Sequence, residues 1–391
     1  MDLLRYTMRK VKKIKLAFFM HNMGIGGVET VLVNTINALI KQGTDITLYC
    51  HRKIVEPIHV EWLQTHPEIN VKIYYPLATF FEKQSRKRPI SRLVKRILFG
   101  LYRTYRNTLM ARHVRAQNFD SLIDYISGYS AKPLRKIHGP KKITWAHCSM
   151  NYFRDNNIIN GLEQYNHIVT ISESFRQEFC ETYPDYAKRT IRIYNPINFA
   201  MTQNKLKNTT IPDGKYFTCV SRLDTDKDIF TLVKAFDIFW KNENRPDVKL
   251  YIVGDGACIN DFKEAAQKLS SAKQIIFTGK QSNPFGYMAG ALAHILSSFN
   301  EGLGMVLLEA MSVGTLNISS NCPNGPHEIL MDGRAGILFE PGNAIELAKC
   351  LSDVYNKKVN IKKIIDVATK SLERFEPDNI ANQIINLVQE K

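Results

Sequence analysis

Short apolar runs separated by helix-length amphipathic segments recur along the chain. IKLAFFM (14–20), DITLYC (45–50), NVKIYY (70–75), SLIDYI (121–126), KITWAH (142–147) and HIVTIS (167–172) have strand length and are rich in β-branched and aromatic residues. A polar stretch, TQNKLKNTTIPDGK (202–215), interrupts the rhythm, which restarts with YFTCVS, VKLYIVG, QIIFTG, HILSS and TLNISS. Near-continuous apolar strands alternating with amphipathic helices predict parallel sheets covered on both faces. The class is therefore α/β. The 391 residues suit two doubly wound domains, over 1–200 and 201–375, with a linker near 197–215. A last helix, 376–391, can pack back on the first domain.

Charge changes the picture once it is divided between the halves. Residues 1–200 carry 31 Lys and Arg against 15 Asp and Glu, whereas residues 201–391 carry 22 of each. The whole excess of +16 lies in the first half. Within it, Lys83 to Phe119 has 11 basic residues and no acidic one, interleaved with Leu93, Val94, Ile97, Leu98, Phe99, Leu101, Tyr102 and Tyr105. Such a segment can lie on an anionic membrane, aliphatic side embedded and cations among the headgroups. A solvated helix packed on its own domain explains the same pattern. No nucleic-acid recognition motif accompanies the charge.

The chain opens with basic residues before LAFFM, but this run is too short for a signal-peptide core and no small-residue cleavage site follows. It reads as a first buried strand. No stretch of 18 apolar residues occurs, so no membrane span is expected. The seven cysteines are scattered without a C-x-x-C pair, which argues against a zinc site or a disulfide framework and for a reducing compartment, by default the cytoplasm.

Ligands of open parallel sheets bind beyond the carboxyl ends of the strands, so the loops after the strands carry the chemistry. HNMGIGGVETVLVNTINAL (21–39) is a glycine-rich turn opening a helix, where Gly26 and Gly27 let backbone N–H groups approach an anion. It is not a dinucleotide fingerprint, because Glu29 occupies the third glycine's place. In SRLDTDKDIF (221–230), Arg222 and Lys227 can converge on one pyrophosphate, with a helix starting near Asp228 or Ile229. The intervening D-x-D resembles a divalent-metal ligand pair, but beside two cations it suits a turn and a helix start better. Gly254 and Gly256 close a strand in YIVGDG, and Lys280 and Gln281 follow another where a nucleotide base can sit.

In NEGLGMVLLEAMSVG (300–314), Glu301 falls in a loop and Glu309 more than a turn into a helix beginning near Met305. Backbone N–H groups around Leu303, Gly304, Met305 and Val306 can receive a phosphate. Glu309 then reaches ribose hydroxyls while Glu301 faces a sugar. Retaining glycosidases also use paired carboxylates, but their substrates lack the phosphates that these cations suit.

Taken in order, GIGGVET, ITWAH, VTISES, YNPI, SRLDTDKD, VGDG, the Glu301-GLGMVLL-Glu309 motif and NGPHEILMDGRAGILFEPGN resemble retaining glycosyltransferase family 4 over nearly the whole chain. The resemblance implies the GT-B fold, two Rossmann-like domains whose parallel sheets face a central cleft. The basic N-terminal domain would bind acceptor and the C-terminal one the nucleotide sugar. The implied reaction moves a hexose from a nucleotide diphosphate sugar to an acceptor hydroxyl, with retention and without a bound metal or other cofactor. Arg222 and Lys227 match the diphosphate binders, Glu309 the ribose binder, and Glu301 the residue orienting the donor sugar. His147, closing ITWAH, matches a histidine that contacts that sugar, and Gly26 and Gly27 match the loop near the diphosphate. Gly254, Lys280, Gly302, Leu303, Gly304 and Met305 complete the expected donor-binding set. Family members often carry Phe-Gly where Leu303-Gly304 stands here. The NCPNGPHEIL stretch resembles members that use UDP-hexoses in bacterial lipopolysaccharide or other surface polysaccharide synthesis. The expected partners are a UDP-sugar, an anionic or lipid-linked glycan acceptor and the inner face of the plasma membrane, touched through 83–115. A nucleotide-sugar epimerase or hydrolase on the same fold, or a non-catalytic glycan-binding adaptor, remain the alternative readings.

Overall fold

The computed structural model describes residues 13–390, apart from 25, 76–88, 129, 148–149 and 156–157, and apart from the side chains of 89–95, 151 and 152. The basic residues expected at 83–88 therefore lie outside the described residues.

The described strands form two wholly parallel sheets. The first contains β1 (Lys15–Met20), β2 (Asp45–Cys50), β3 (Asn70–Ile73), β4 (Ser121–Asp124), β5 (Lys141–Ala146), β6 (His167–Thr170) and β7 (Thr190–Arg192), in the order β3-β2-β1-β4-β5-β6-β7. The second contains β8 (Lys215–Val220), β9 (Val248–Val253), β10 (Ile275–Gly279), β11 (His294–Leu296), β12 (Asn317–Ser320) and β13 (Ile337–Phe339), in the order β10-β9-β8-β11-β12-β13. Strand order reverses between β1 and β4 in one sheet and between β8 and β11 in the other. At each reversal the following helices go to opposite faces and leave a crevice beyond the strand ends. These are the two places where ligands are expected.

By contacts the chain divides into Met1–Ala146 with Asn156–Val169 and Ala381–Lys391, and His147–Asp155 with Thr170–Ile380. In the first unit β1 is central and Leu16, Ala17, Phe18 and Phe19 are wholly buried, as its apolar run requires. Helix Gly27–Lys41 covers it with Val31, Leu32, Ile36 and Leu39. The long helix Pro89–Ala116 is pinned at its C-terminal half: Met110, Ala111 and Val114 are buried, and Arg106 donates to the carbonyls of Ile73 and Tyr74. His113 Nδ1 lies 2.7 Å from the Tyr49 hydroxyl. Near the C-terminus, Lys141 Nζ donates to the Leu387 carbonyl at 2.8 Å.

In the second unit the core is built on Phe217, Leu250, Ile252, Ile295 and Ile318, covered by Leu232, Phe236, Leu347 and Leu351. Full burial of side chains this size contributes about 1.5–3 kcal/mol each. Two departures from the sequence reading are local. The stretch expected to be a linker contains helix Phe199–Lys207, begun by Asn198, whose side chain accepts from the Met201 N–H at 3.0 Å. Its Thr202 is buried, so the segment packs despite its polar composition. Strands β7 and β13 were not expected, because three residues cannot establish an alternation. Among the described residues no helix is long and apolar enough to cross a membrane.

Candidate active site

The reversal point of the second sheet lies between the loops after β8 and β11, and here the structure joins two residues 74 positions apart: Lys227 Nζ donates to Glu301 Oε1 at 2.8 Å. Local structure fixes the lysine from both sides. Asp224 accepts from the Ala257 N–H at 3.1 Å, Thr225–Lys227 form one 3-10 turn, and Asp228 takes a left-handed conformation (φ 44°) and caps helix Ile229–Asn242 by accepting from Thr231 N–H. Ser297 Oγ donates to the Lys227 carbonyl at 2.9 Å, and Phe299 N–H donates to the Asp226 carbonyl at 2.8 Å, so the two loops share backbone bonds as well. The Lys227 and Glu301 side chains are only 12% and 13% exposed. Burial alone would lower the lysine pKa, but the Glu301 carboxylate, joined by Asp226 at 3.2 Å, outweighs it and raises the value above the ordinary one. The ammonium stays charged.

Glu301 is held from its own loop too. Ser298 Oγ donates to the same Oε1 at 2.6 Å, and the Ser298 carbonyl accepts from Ser320 Oγ on β12 at 2.6 Å. Gly304, at φ 90°, begins helix Met305–Ser312, where only glycine turns the chain without strain. First-turn N–H groups at Met305 and Val306 precede the helix's own bonding and lie at its positive end. The Asn300 side-chain oxygen beside Glu301 is buried without a hydrogen-bond partner.

Glu309 stands one turn further along this helix. Burial pushes its carboxyl up from 4.5 to about 7, against a smaller pull downward from Lys205. A raised carboxyl pKa means that the folded chain holds more protons than the unfolded one between about pH 4.5 and 7, so stability falls as pH rises through that window and levels above it. Asp124 in the first unit, whose carboxyl burial also pushes up to about 7 against hydrogen bonds from Tyr165 and Ser130, adds to the slope. Glu309→Gln is expected to flatten part of it and to raise the melting temperature at pH 8. Thermal denaturation of both chains across pH 4.5–8.5 checks this; an unchanged slope would mean that Glu309 is hydrated and titrates normally.

Two glycines let the β8 and β9 loops meet backbone to backbone. A Cβ on Gly254, itself at φ 146°, would lie 1.8 Å from the Ser221 carbonyl oxygen, and one on Gly256 would lie 2.5 Å from that of Leu223. Between them run bonds from Ser221 N–H to Val253 O and from Leu223 N–H to Asp255 O. Gly254 thus has a packing reason in this loop independent of any ligand.

The remaining candidates are placed as follows. Arg222 is mostly exposed and pairs with Asp224 at 2.6 Å, whereas Lys227 pairs with Glu301 and Asp226, so the two cations bind different carboxylates. The ring nitrogens of the half-buried His147 are shielded from solvent, which pushes its pKa down to about 3 and keeps the ring neutral. Its carbonyl lies near Gly302, 3.6 Å from where a Cβ would stand. Leu303 is buried, 2% exposed. Lys280 is exposed beyond edge strand β10, and Gln281 donates to the Thr278 carbonyl. Gly26 and Gly27 begin helix Gly27–Lys41 in the first unit, where the Glu29 carboxylate curls back to within 2.6 Å of a Cβ position on Gly26. A carboxylate thus lies at the helix start where an anion was expected.

Three side chains escaped the sequence reading: Ser297, Ser298 and Ser320. The double serine ending an apolar strand just before Asn300-Glu301 was the available signal. Glu328 escaped too. Its carboxylate accepts from Glu173 N–H at 2.8 Å and from the Tyr194 hydroxyl, while Arg374 bonds the carbonyls of Glu328 and Ile329. It ties the segment after β12 to Glu173 and Tyr194. Among the described residues no group of three or more His, Cys, Asp or Glu side chains is placed to hold a metal ion.

This arrangement has counterparts among known proteins. Residues 201–371 match the family of group 1 glycosyl transferases, and residues 25–200 match glycosyltransferase family 4. An uncharacterized glycosyltransferase of Haemophilus influenzae is 28% identical over 352 residues, covering 88% of this chain and 90% of that one. A lipopolysaccharide 1,6-galactosyltransferase of Salmonella typhimurium is 26% identical over 270 residues, covering 65% and 69%. The crystal structure of HepE from Anabaena in complex with UDP and glucose superposes with a TM-score of 0.72 at 17% identity, over 96% of this chain and 99% of that one. With the two family matches following one another over almost its whole length, the chain belongs to the GT-B glycosyltransferases and is a transferase enzyme.

Proposed function

We propose that this enzyme transfers a hexose from a UDP-hexose to a hydroxyl of an anionic or lipid-linked glycan, with retention and without a bound metal. The observation that carries the reading is the Lys227–Glu301 pair in the crevice between β8 and β11. A cation beside a departing diphosphate stabilises the charge that develops as the sugar–phosphate bond breaks. Glu301, positioned by Lys227 and Ser298, would accept bonds from sugar hydroxyls, Glu309 from the ribose, and Arg222 would exchange Asp224 for the diphosphate. In this scheme the bond from C1 to the UDP oxygen breaks, the acceptor oxygen bonds C1 on the same face, and the acceptor proton passes to the leaving phosphate. No protein nucleophile is needed, and rate comes from positioning and electrostatics. In this scheme no metal is needed, because Lys227 and Arg222 supply the positive charge at the diphosphate while Asp224 stays anchored by the Ala257 N–H and Asp226 faces Lys227. The HepE structure holds UDP, and the Salmonella relative is named for lipopolysaccharide galactosyl transfer, which favours this donor and acceptor class. Proton NMR of the product tests the stereochemistry: an α-linked hexose from an α-linked donor is expected, and a β-linked product would contradict the scheme.

The enzyme would work at the inner face of the plasma membrane. On helix Pro89–Ala116, Ile97, Leu101 and Tyr105 recur every four residues and are 55%, 65% and 62% exposed, beside Leu98 and the exposed Arg96. An outward stripe of this composition suits anionic lipid. Leu101→Ser with Tyr105→Ser is expected to weaken sedimentation with phosphatidylglycerol vesicles about tenfold or more, since each buried CH₂ contributes about 0.8 kcal/mol. Equal sedimentation of the two chains would remove the membrane from the account.

A further inference from the structure

The first unit contains a second polar site, at the reversal point of its own sheet. Loops after β1, β2 and β4, with the end of β3 and the long helix, line a half-open cavity of about 330 Å³. Three cations line it from three separate elements: Arg52 after β2, Arg103 on helix Pro89–Ala116 and Lys132 after β4. Tyr75 and Phe99 supply its aromatic wall, and among the described residues no carboxylate lines it. The wall is braced, because the Tyr75 hydroxyl donates to Asn107 Oδ1 and its ring meets His51 edge-on at 5.2 Å. His21 and His51 close the inner end with their Nδ1 atoms 3.4 Å apart. Burial first, then the charges of His21 and Arg52, push the His51 pKa down to about 3. His51 is therefore neutral, and the positive field comes from the two arginines and the lysine.

We infer that this cavity binds the phosphate group of a phosphorylated sugar in the acceptor, with the sugar ring against Tyr75 and Phe99. The inference rests on the proposed transferase reading, which requires an acceptor, and adds the chemical group by which this one is recognised. Guanidinium forks match phosphate oxygens in pairs, and an ammonium adds a third donor from another direction. Aromatic faces beside them suit the C–H face of a sugar better than a bare inorganic ion. The helix geometry agrees with an acceptor presented from a surface. Phe99, Arg103 and Asn107, at i, i+4 and i+8, face the cavity, whereas Ile97, Leu101 and Tyr105 lie two positions away, about 200° round the helix. One side of the helix thus meets the phosphate while the opposite side remains available to lipid.

The test uses the full chain saturated with UDP, so that the crevice of the second sheet is filled, and saturation-transfer NMR with millimolar glucose 6-phosphate, inorganic phosphate or glucose. Transfer to glucose 6-phosphate is expected, none to glucose, and inorganic phosphate should compete. The Arg52→Ser, Arg103→Ser, Lys132→Ser triple variant should bind glucose 6-phosphate at least about tenfold more weakly while its UDP affinity is unchanged. Undiminished transfer in the triple variant, equal transfer to glucose, or no transfer to glucose 6-phosphate would overturn the inference. Failure of the wild type to bind UDP would instead strike the donor reading, because the sugar phosphate is read out separately.

Discussion

Lys227→Ala is expected to lower kcat/KM for sugar transfer by about 10²–10³, the usual cost of removing one preorganised charge partner from a developing anion. The substitution takes away the cation facing the diphosphate and one of the two groups that hold Glu301, leaving only the 2.6 Å bond from Ser298. Both effects act on kcat more than on KM, because the charge on the leaving phosphate grows toward the transition state. Glu301→Gln removes the other half of the pair. Since the two side chains touch and are nearly buried, their effects should not add: the double variant should be little worse than Lys227→Ala alone. Steady-state kinetics on the four chains measures this coupling, and strict additivity would mean that the pair does not act as a unit.

Gly254→Ala should produce the largest loss of stability, about 3–5 kcal/mol. Its methyl group would stand 1.8 Å from the Ser221 carbonyl oxygen at a backbone angle, φ 146°, that side chains rarely adopt. Neither obstacle yields cheaply, since the obstructing atom is main chain and that chain is tied to Val253 by the Ser221 N–H. Relief by moving the Ser221 loop would displace Arg222 and Lys227, so activity and stability should fall together. Urea denaturation followed by tryptophan fluorescence checks the first. Ala at Gly27, where nothing lies within 4 Å of a Cβ, serves as the neutral comparison.

What could be read in advance divides along physical lines. Long apolar strands such as IKLAFFM and DITLYC announced themselves because they are central and buried on both faces, so their sequences are almost wholly hydrophobic. Strands β7 and β13, three residues each, left no such pattern, and helix Phe199–Lys207 was hidden because only a narrow side of it is covered. Lys227 and Glu301 were legible as candidates from their loops, but their mutual bond was not, since it depends on β8 and β11 being neighbours. Arg222 shows the converse: its position in the loop was readable, its preference for Asp224 was not. The cavity of the first unit was invisible for the same reason as the pair, being assembled from residues between 21 and 133 that share no motif.

The crevice of the second sheet should release UDP only as it passes a hexose to an acceptor. The most direct measurement is UDP release from a panel of UDP- and GDP-hexoses in EDTA, with and without an anionic glycolipid acceptor, for the wild type and for Lys227→Ala. Acceptor-dependent release from one UDP-hexose that survives EDTA and is lost in the variant is expected. Equal release without acceptor, or release that Lys227→Ala leaves intact, would contradict it.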